Sequence, residues 1–432
     1  MHSADESKLR HDGREIWTPC FDSTGHDQES HRTIVISTHK QLPDLTMSSS
    51  TTISTNCTNT PPTKSPSTIS CPILPPTLCP CNNVRRTCSM VLEDNPNVQI
   101  QHDGLVSLAE SIISLGDQAT EWDADGWHYT GTRFHGNDTN RQERVALYVL
   151  ALDAINFCFW PHRDQHNNPH IDSENNNYSN SLEYDHLAIA LRKLAERDDE
   201  SLTNDDYFFN PNHLSKLTVH DMTAALEPEL QGHYLPNMHE RCRLWNELGH
   251  GLLHCHHGTA LSLIAAAQGS APNLVACIVR TFPGFRDETT HRGRWVALYK
   301  RAQIAVGDLN AALHLDLAHM DHLTTFADYR VPQVLRHFGA LAYSSELANK
   351  VDCHMELNSQ EEVAIRAGTV ICVDELVRMV NDAAAAAKSE DDDALVPSMT
   401  AVTLDWHLWQ VGERMNQHGE LKPHHRVNTI FY

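Results

Sequence analysis

The sequence contains no apolar run long enough to cross a membrane. A membrane-spanning helix needs about 18 consecutive apolar residues, whereas this chain of 432 residues has a mean hydropathy of −0.43 and much shorter apolar segments. Four of its first ten residues are charged, so the apolar centre of a secretory signal peptide is missing. We therefore expect a protein of the cytoplasm, with the nucleus as a second compartment.

Basic residues are too few for a protein that binds nucleic acid through bulk charge. The chain has 33 Lys and Arg residues against 56 Asp and Glu residues, which gives a net charge of −23. Nucleic-acid binders gain affinity when Lys and Arg neutralise phosphates, and this excess has the opposite sign. We expect a small-molecule partner, and no direct binding to nucleic acid or to a membrane.

Glycine-rich phosphate loops and the common metal-binding spacings are absent as well. Neither a GxxxxGK loop nor a GxSxG elbow occurs, so side chains must hold any bound phosphate. Of the 30 histidines, His250 and His254 have the i,i+4 spacing that lets two imidazoles share a metal. However, no carboxylate follows His250 as in the HExxH pattern, and no second cluster supplies further ligands. We predict neither a metal ion nor a cofactor.

The composition divides the chain into two parts. Ser, Thr or Pro occupy 23 of the 35 positions in 46–80, and such a segment cannot bury enough apolar surface to offset its ordering entropy. We predict a disordered N-terminal extension over residues 1–96. From residue 97 onward apolar residues recur at helical spacing, as in Val145, Tyr148, Leu152, Ile155 and Phe159.

The predicted fold class is therefore mainly α, with a single helical domain over residues 97–432. Two buried helices separated near 269–272 are expected in the apolar region 260–279, because Gly and Pro interrupt it there. Strand-like alternation is scarce, and residues 426–432 are the best candidate for a strand.

Three segments place polar groups inside apolar helices. In the first, Asp153, Asn156 and Trp160 follow at i, i+3 and i+7, so one helix stripe should carry all three. A buried carboxylate and amide need partners, because unpaired burial costs a few kcal/mol. Structural hydrogen bonds to a neighbouring helix and a site for a polar heterocycle are equally compatible with this pattern.

The second segment carries Lys300 and Arg301 on a largely apolar helix, with Gln303 one turn after Lys300. Two readings stay open. The cations can reach solvent or an acidic neighbour, or Lys300 can act as a point charge for a phosphate.

The third segment places Asp328, Tyr329 and Arg330 just ahead of a helix, because Pro332 favours a first turn. A helix N-terminus favours negative charge, so it would help to keep Asp328 ionised. Asp328 is then either a helix-start carboxylate paired with Arg330 or a catalytic anion.

Together these segments resemble the queuosine salvage protein family, the queuosine 5′-phosphate N-glycosylase/hydrolases. The resemblance runs from about residue 104 to residue 432. It rests on ten segments in one order: LDAINFCFWP (152–161), EYDHLAIAL (183–191), RLWNELG (243–249), FPGFRDE (282–288), LYKRAQI (298–304), FADYRVPQVL (326–335), YSSELANKVD (343–352), EEVAIRA (361–367), DWHLW (405–409) and HHRVNTIFY (424–432).

The resemblance implies a fold similar to that of helical DNA glycosylases. It also implies hydrolysis of the N-glycosidic bond of queuosine 5′-monophosphate, which releases queuine for reuse in tRNA. Queuine is a 7-deazaguanine and lacks the N7 that an ordinary purine would protonate on departure. Such an enzyme has to stabilise a cationic sugar, place a water molecule and hold the leaving base.

At the matching positions the resemblance implies a division of roles. Asp328 would be the catalytic carboxylate, and Lys300 would hold the 5′-phosphate, with help from Tyr329, Arg330, His425 or Arg426. Asp153 and Asn156 would hydrogen-bond the base and His135 would reach its edge. The stacking candidates are Phe134, Phe157 and Trp160.

Two other functions remain to be separated from hydrolysis of this nucleotide. One is non-catalytic binding of queuine or of a tRNA-related partner, which the acidic charge disfavours for tRNA. The other is a purine-type nucleoside phosphorylase or hydrolase of wider range. Substrate selectivity separates the two enzymes, and release of free base separates an enzyme from a binder. We expect a monomer.

Overall fold

The computed structural model describes residues 79–93, 95–115, 138–160, 182–197, 206–390 and 399–432, together with Trp122 and His128. These residues form fourteen α-helices and two small two-stranded antiparallel sheets. The predicted mainly α fold class is therefore confirmed. None of the described helices is both long and apolar enough to span a bilayer.

The elements follow one another along the chain with short connections. The helices are α1 (Pro80–Leu92), α2 (His102–Leu115), α3 (Thr139–Ile155), α4 (Tyr184–Arg197), α5 (Pro211–Leu214), α6 (Val219–Leu226), α7 (Met238–Cys255), α8 (Ala260–Ala266), α9 (Ala271–Thr281), α10 (Lys300–Leu313), α11 (Arg330–His337), α12 (Ser345–Asp352), α13 (Ser359–Glu390) and α14 (Ala401–Gln417). The strands are β1 (Val98–Ile100), β2 (Glu288–His291), β3 (Arg294–Ala297) and β4 (Leu341–Tyr343).

Each sheet joins two strands. β1 pairs with β4, with Val98 opposite Tyr343 and Ile100 opposite Leu341. β2 and β3 form a hairpin whose two turn residues, Arg292 and Gly293, have φ angles of 49° and 77°. Positive φ at both turn positions matches the right-handed twist of hairpin strands, and glycine adopts it without steric cost.

Two helices organise the core. α3 is buried at every position from Glu143 to Ile155 and packs against α4, α7, α8 and α10. α13 packs against α1, α2, α11 and α14. A helix that is apolar on most of its faces is buried on all sides, which explains the unbroken apolar run in α3. The C-terminal end of α3 and the N-terminal ends of α10 and α11 hold the residues singled out above.

The structure corrects the predicted domain boundary at residue 96. Pro80 occupies the first turn of α1, where its missing N–H costs nothing. Cys81, Val84, Cys88 and Val91 recur at helical spacing and are buried in a helix that packs against α13. The prediction failed because the cysteines, which behave as small apolar residues, were grouped with the Ser, Thr and Pro tract before them. Residues 1–78 of the predicted extension lie outside the described residues.

Two local predictions have opposite outcomes. The break near 269–272 is confirmed, because α8 ends at Ala266 and α9 begins at Ala271. The predicted strand at 426–432 does not form; only an isolated bridge joins Arg426 to Glu356. Tyr432 is buried instead, so the alternation reflects burial of single side chains.

Candidate active site

A cleft opens where the ends of α3, α10 and α11 meet α14. Its empty volume, including the mouth, is about 690 Å³, within the range of small-molecule sites. Aromatic rings form much of its wall: Trp122, Phe159, Tyr184, Phe326, Tyr329, Trp406, Trp409 and Tyr432. Its charged and amide side chains are those of Asn156, Lys300, Asp308, Asp328, Asp405 and Gln410. Flat aromatic walls around a few polar groups suit a planar heterocycle.

Asp328 lies in this cleft, directly ahead of α11. Its Oδ1 accepts hydrogen bonds from the backbone N–H groups of Arg330 and Val331, both at 2.9 Å. The predicted position at a helix N-terminus is confirmed, although α11 begins at Arg330, two residues before Pro332. Burial raises the pKa of the Asp328 carboxyl, and the Lys300 charge and the two N–H groups act in the opposite direction.

Arg330 does not pair with Asp328 and has little capacity left for a substrate phosphate. Its Nε donates to Glu413 Oε1 at 2.7 Å, and its Nη2 donates to Glu183 Oε2 at 3.3 Å. Only 1% of its side chain is exposed. Gly412 permits this burial, because a Cβ there would lie 2.8 Å from Arg330 Cγ and Cδ. The structure therefore corrects the expected phosphate role of Arg330 to a structural one.

Lys300 is the first residue of α10 and is 5% exposed. Burial lowers the pKa of its ammonium, while the carboxyl groups of Asp328, Asp153 and Asp405, in that order of effect, raise it. Lys300 is thus the positive charge among the acidic residues of the cleft. This surrounding matches the acidic-neighbour alternative, and the phosphate role of Lys300 stays a prediction.

Asp153 and Asn156 remain neighbours although the predicted stripe does not form. α3 ends at Ile155, and Asn156 is its C-terminal cap, so Trp160 lies beyond the helix. The Asp153 carboxyl is fully buried and makes no hydrogen bond of normal geometry with a described residue. Burial, and then the negative charge of Asp308, raise its pKa, whereas Lys300 and the Asn156 amide lower it. Asn156 reaches the cleft wall, and Asp153 lies behind it.

Two buried arginines hold the carbonyl end of α3. Arg241 Nη2 donates to the carbonyl oxygens of Phe157 and Cys158, at 2.6 and 2.9 Å. Arg301 Nη1 donates to the Asp153 carbonyl at 3.2 Å. The last carbonyls of a helix have no partner inside the helix and carry partial negative charge, so the two guanidinium groups satisfy both needs.

The same arginines exclude Phe157 from the cleft. The guanidinium carbons of Arg241 and Arg301 lie 4.3 and 5.4 Å from the centre of the Phe157 ring. The ring has no exposed surface. The structure therefore corrects the expected stacking of Phe157 on a base: both cations already lie against it.

Trp160 supports a cleft residue and does not line the cleft itself. Its ring meets that of Tyr329 nearly edge-on, with centroids 5.4 Å apart, and lies 5.1 Å from the His424 ring. The Tyr329 hydroxyl is buried and has no described hydrogen-bond partner. Burial raises its pKa, so the hydroxyl stays protonated and able to donate to a ligand in the cleft.

The expected C-terminal helpers have different fates. His425 is 2% exposed, and its Nε2 lies 3.1 Å from the Tyr432 hydroxyl. Burial lowers the pKa of His425 to about 3, so the ring is neutral near pH 7 and cannot act as a cation for phosphate. That part of the prediction is corrected, whereas a role for Arg426 stays a prediction. Phe134 and His135 lie outside the described residues.

The comparisons with known proteins agree with this site. Residues 135–432 match the family model described as queuosine salvage protein. The chain belongs to this family. A queuosine 5′-phosphate N-glycosylase/hydrolase of Dictyostelium discoideum is 33% identical over 363 residues, which cover 82% of this chain and 99% of that protein. Proteins with the same name from Sphaerobacter thermophilus and Mus musculus are 35% identical over 358 residues and 28% over 355. Those two alignments each cover 81% of this chain, and 97% and 98% of the respective relatives.

In this member of the queuosine salvage family, sequence reasoning missed a second carboxyl group in the cleft. Asp405 Oδ1 accepts hydrogen bonds from the Thr325 hydroxyl and from Phe326 N, the latter at 2.7 Å. Burial, followed by the charge of Asp328, raises the pKa of Asp405 to about 7. The DWHLW segment contained the signal, since a carboxylate there sits among apolar helix positions.

Proposed function

We propose that this protein hydrolyses the N-glycosidic bond of queuosine 5′-monophosphate and so releases queuine for salvage into tRNA. The observation that carries the proposal is the Asp328 carboxyl, fixed by two backbone N–H groups inside an aromatic cleft beside Lys300. The names of the relatives support the same reaction and substrate for this chain.

The chemistry of the leaving base determines what the cleft has to supply. Because a 7-deazaguanine cannot be protonated at N7, the bond breaks with positive charge developing on the ribose. A fixed carboxylate next to that sugar stabilises the charge, and a prepositioned anion acts without reorganisation in the transition state. Asp328 takes this role and also orients or deprotonates the attacking water.

Lys300 maintains the charge that Asp328 needs. Burial alone would keep the carboxyl protonated, and the nearby ammonium opposes that effect. The same ammonium and the Tyr329 hydroxyl are the donors that we assign to the 5′-phosphate, since the hydroxyl is buried without a described partner. Asn156, with Asp153 behind it, holds the base, and the aromatic rings cover its faces.

The substrate is proposed to be the free mononucleotide. A polyanion such as tRNA would meet a chain of net charge −23, whereas one phosphate needs only a local pair of donors. We accordingly propose a monomeric enzyme of the cytoplasm, and of the nucleus as a second compartment, that does not bind tRNA directly.

Incubation of the purified chain with queuosine 5′-monophosphate, with chromatographic detection of free queuine and ribose 5-phosphate, tests this function. We expect stoichiometric release of both products, and no base release from guanosine 5′-monophosphate. Binding of the nucleotide by folded protein without product release would reject the enzyme in favour of a binder. Cleavage of ordinary purine nucleotides at a similar rate would favour the enzyme of wider range.

A further inference from the structure

A second cluster of polar side chains lies outside the cleft, on the 3₁₀ turn at Met320–His322. The side chains of His319, Asp321 and His322 each bring one nitrogen or oxygen ligand atom to a common point, all within 4.8 Å of one another. The two imidazole rings face each other, with centroids 4.9 Å apart and planes inclined by 28°. None of the three side chains lines the cleft.

A buried thiol approaches this cluster from α1. The pKa of Cys79 is lowered to about 5, first by a hydrogen bond with the Cys81 side chain and further by the N–H groups of Asn82 and Cys81 and by the His322 ring. A thiolate is the form of cysteine that binds metals. Cys79 is 5% exposed, and it immediately precedes α1.

α1 is held against the turn independently of Cys79. Arg85 Nη1 donates to the His322 carbonyl at 2.6 Å, and its Nη2 donates to the Leu323 carbonyl at 2.9 Å. An ion pair with Asp374 of α13, at 2.9 Å, fixes the same guanidinium. The position of Cys79 relative to His322 is therefore determined by contacts other than its own.

We propose that His319, Asp321 and His322 bind one divalent transition-metal ion, with zinc as the best fit, and that Cys79 supplies the fourth ligand. Two imidazoles, one carboxylate and one thiolate are the donor types that zinc takes in tetrahedral sites. The net charge of −23 also favours accumulation of cations near the surface. None of these residues belongs to the proposed catalytic apparatus.

The ion would connect the start of α1 to the segment that leads into the cleft. Residues 323–328 run directly from the turn to Asp328 and include Thr325 and Phe326, which hydrogen-bond Asp405. A metal on the turn therefore stabilises the anchoring of this segment. Its expected effect is a higher Tm, with little change in the chemistry at Asp328.

The test uses the full chain, treated with a chelator and then titrated with Zn²⁺ alone by calorimetry. We expect one equivalent to bind with a Kd of about 1 µM or lower, and the Tm to rise. Co²⁺ is the spectroscopic probe, since a bound thiolate gives a sulfur-to-cobalt charge-transfer band and tetrahedral coordination gives intense visible bands. Absence of saturable binding in this range would overturn the proposal.

Variants locate the site. His319→Asn tolerates the left-handed backbone of His319, whose φ is 64°, and His322→Ala removes the second imidazole. Each should weaken Zn²⁺ binding by about 100-fold or more, beyond the cost of losing an outer partner. The matched control is the double variant His250→Ala/His254→Ala, which removes another exposed pair of facing rings, 6.0 Å apart. If the control loses the ion and the first two variants retain it, the site is wrongly placed.

Cys79→Ser tests the fourth ligand separately. We expect the charge-transfer band of the Co²⁺ form to disappear while one weaker equivalent still binds. An unchanged band would reject Cys79 as a ligand. Unaltered far-ultraviolet circular dichroism and unaltered nucleotide hydrolysis would show that each variant is folded.

Discussion

Arg366 and Asp287 form a buried two-point ion pair beneath the cleft. Arg366 Nη2 donates to Asp287 Oδ2 at 2.5 Å, and Nη1 donates to Oδ1 at 3.1 Å. The same carboxylate accepts the backbone N–H of Lys300 at 3.1 Å, and Arg366 Nε donates to the carbonyl of Ala327 at 2.9 Å. One ion pair therefore fixes the start of α10 and the residue that precedes Asp328.

Arg366→Met should lower the free energy of unfolding by about 3–5 kcal/mol, because it leaves the Asp287 carboxylate buried without its cation. Urea unfolding measures the change. The double variant Asp287→Asn/Arg366→Met should recover much of the loss, since no uncompensated charge remains. Arg378→Met is the surface control: Arg378 pairs with Glu375 and Asp382 but is 47% exposed, so we expect a change below about 1 kcal/mol.

Asp328→Asn should lower kcat for queuosine 5′-monophosphate by about 10²-fold or more and leave KM nearly unchanged. The amide oxygen can still accept the two backbone N–H groups of α11, so the fold should persist. Steady-state assays of queuine release measure the effect. Asp382→Asn, an exposed carboxylate on α13, should retain wild-type activity. Near-normal turnover of Asp328→Asn would reject the catalytic role.

Lys300→Ala separates two roles through two substrates. As the counter-ion of Asp328, Lys300 should contribute to kcat for both the nucleotide and the bare nucleoside queuosine. As a phosphate ligand, it should in addition raise KM for the nucleotide alone. We expect both effects in kinetic assays with the two substrates, and Lys216→Ala, at an exposed position, serves as the control. Equal losses on both substrates would remove the phosphate role.

Tyr329→Phe should raise KM for the nucleotide without destabilising the protein. The Tyr329 hydroxyl is buried and has no described partner, so its removal costs the free protein no hydrogen bond. Tyr432→Phe is the matched contrast, because the Tyr432 hydroxyl bonds to His425 at 3.1 Å. That variant should lose about 1 kcal/mol of stability. A clear loss of stability in Tyr329→Phe would show that its hydroxyl has a structural partner.

Asp405→Asn should become more stable relative to the wild type as the pH rises from about 4 to 7. The folded pKa of Asp405 is about 7, against an ordinary value of 3.8. The folded chain therefore retains a proton that the unfolded chain releases, and this carboxyl lowers the stability of the wild type progressively over that interval. The shift corresponds to at most about 4 kcal/mol.

Urea unfolding at pH 5 and pH 8 measures this difference. Asp352→Asn should show the opposite sign, because hydrogen bonds from Arg336 lower the pKa of Asp352. If the stability difference between Asp405→Asn and the wild type is the same at both pH values, Asp405 titrates normally in the folded state.

Local rules predicted the parts of the site that depend on backbone chemistry. Pro332 marked the beginning of a helix, and the carboxyl just ahead of it caps that helix. The interruption near 269–272 separated α8 from α9 for the same kind of reason. Such signals act within a few residues and survive in any tertiary context.

Tertiary contacts decided the rest, and sequence spacing does not encode them. Phe157 and Phe159 are two residues apart in an aromatic stretch, yet only Phe159 reaches the cleft, because Arg241 and Arg301 enclose Phe157. Asp405 resembled a solvated residue of an amphipathic helix until α14 was placed beside Thr325. Pairings between residues about 80 positions apart, such as Asp405 with Thr325, cannot be read from local periodicity.

The packing of α1 against α13 also affects how the chain is made. Leu92 ends α1 and Ser359 begins α13, so the ribosome has to add roughly 270 residues, at about 5–20 residues per second, before the partner helix exists. The apolar face of α1, with Val84 and Val91, has no native cover for roughly 15 to 50 seconds. Nascent chains of this protein should therefore depend on chaperones more than their mainly helical fold suggests.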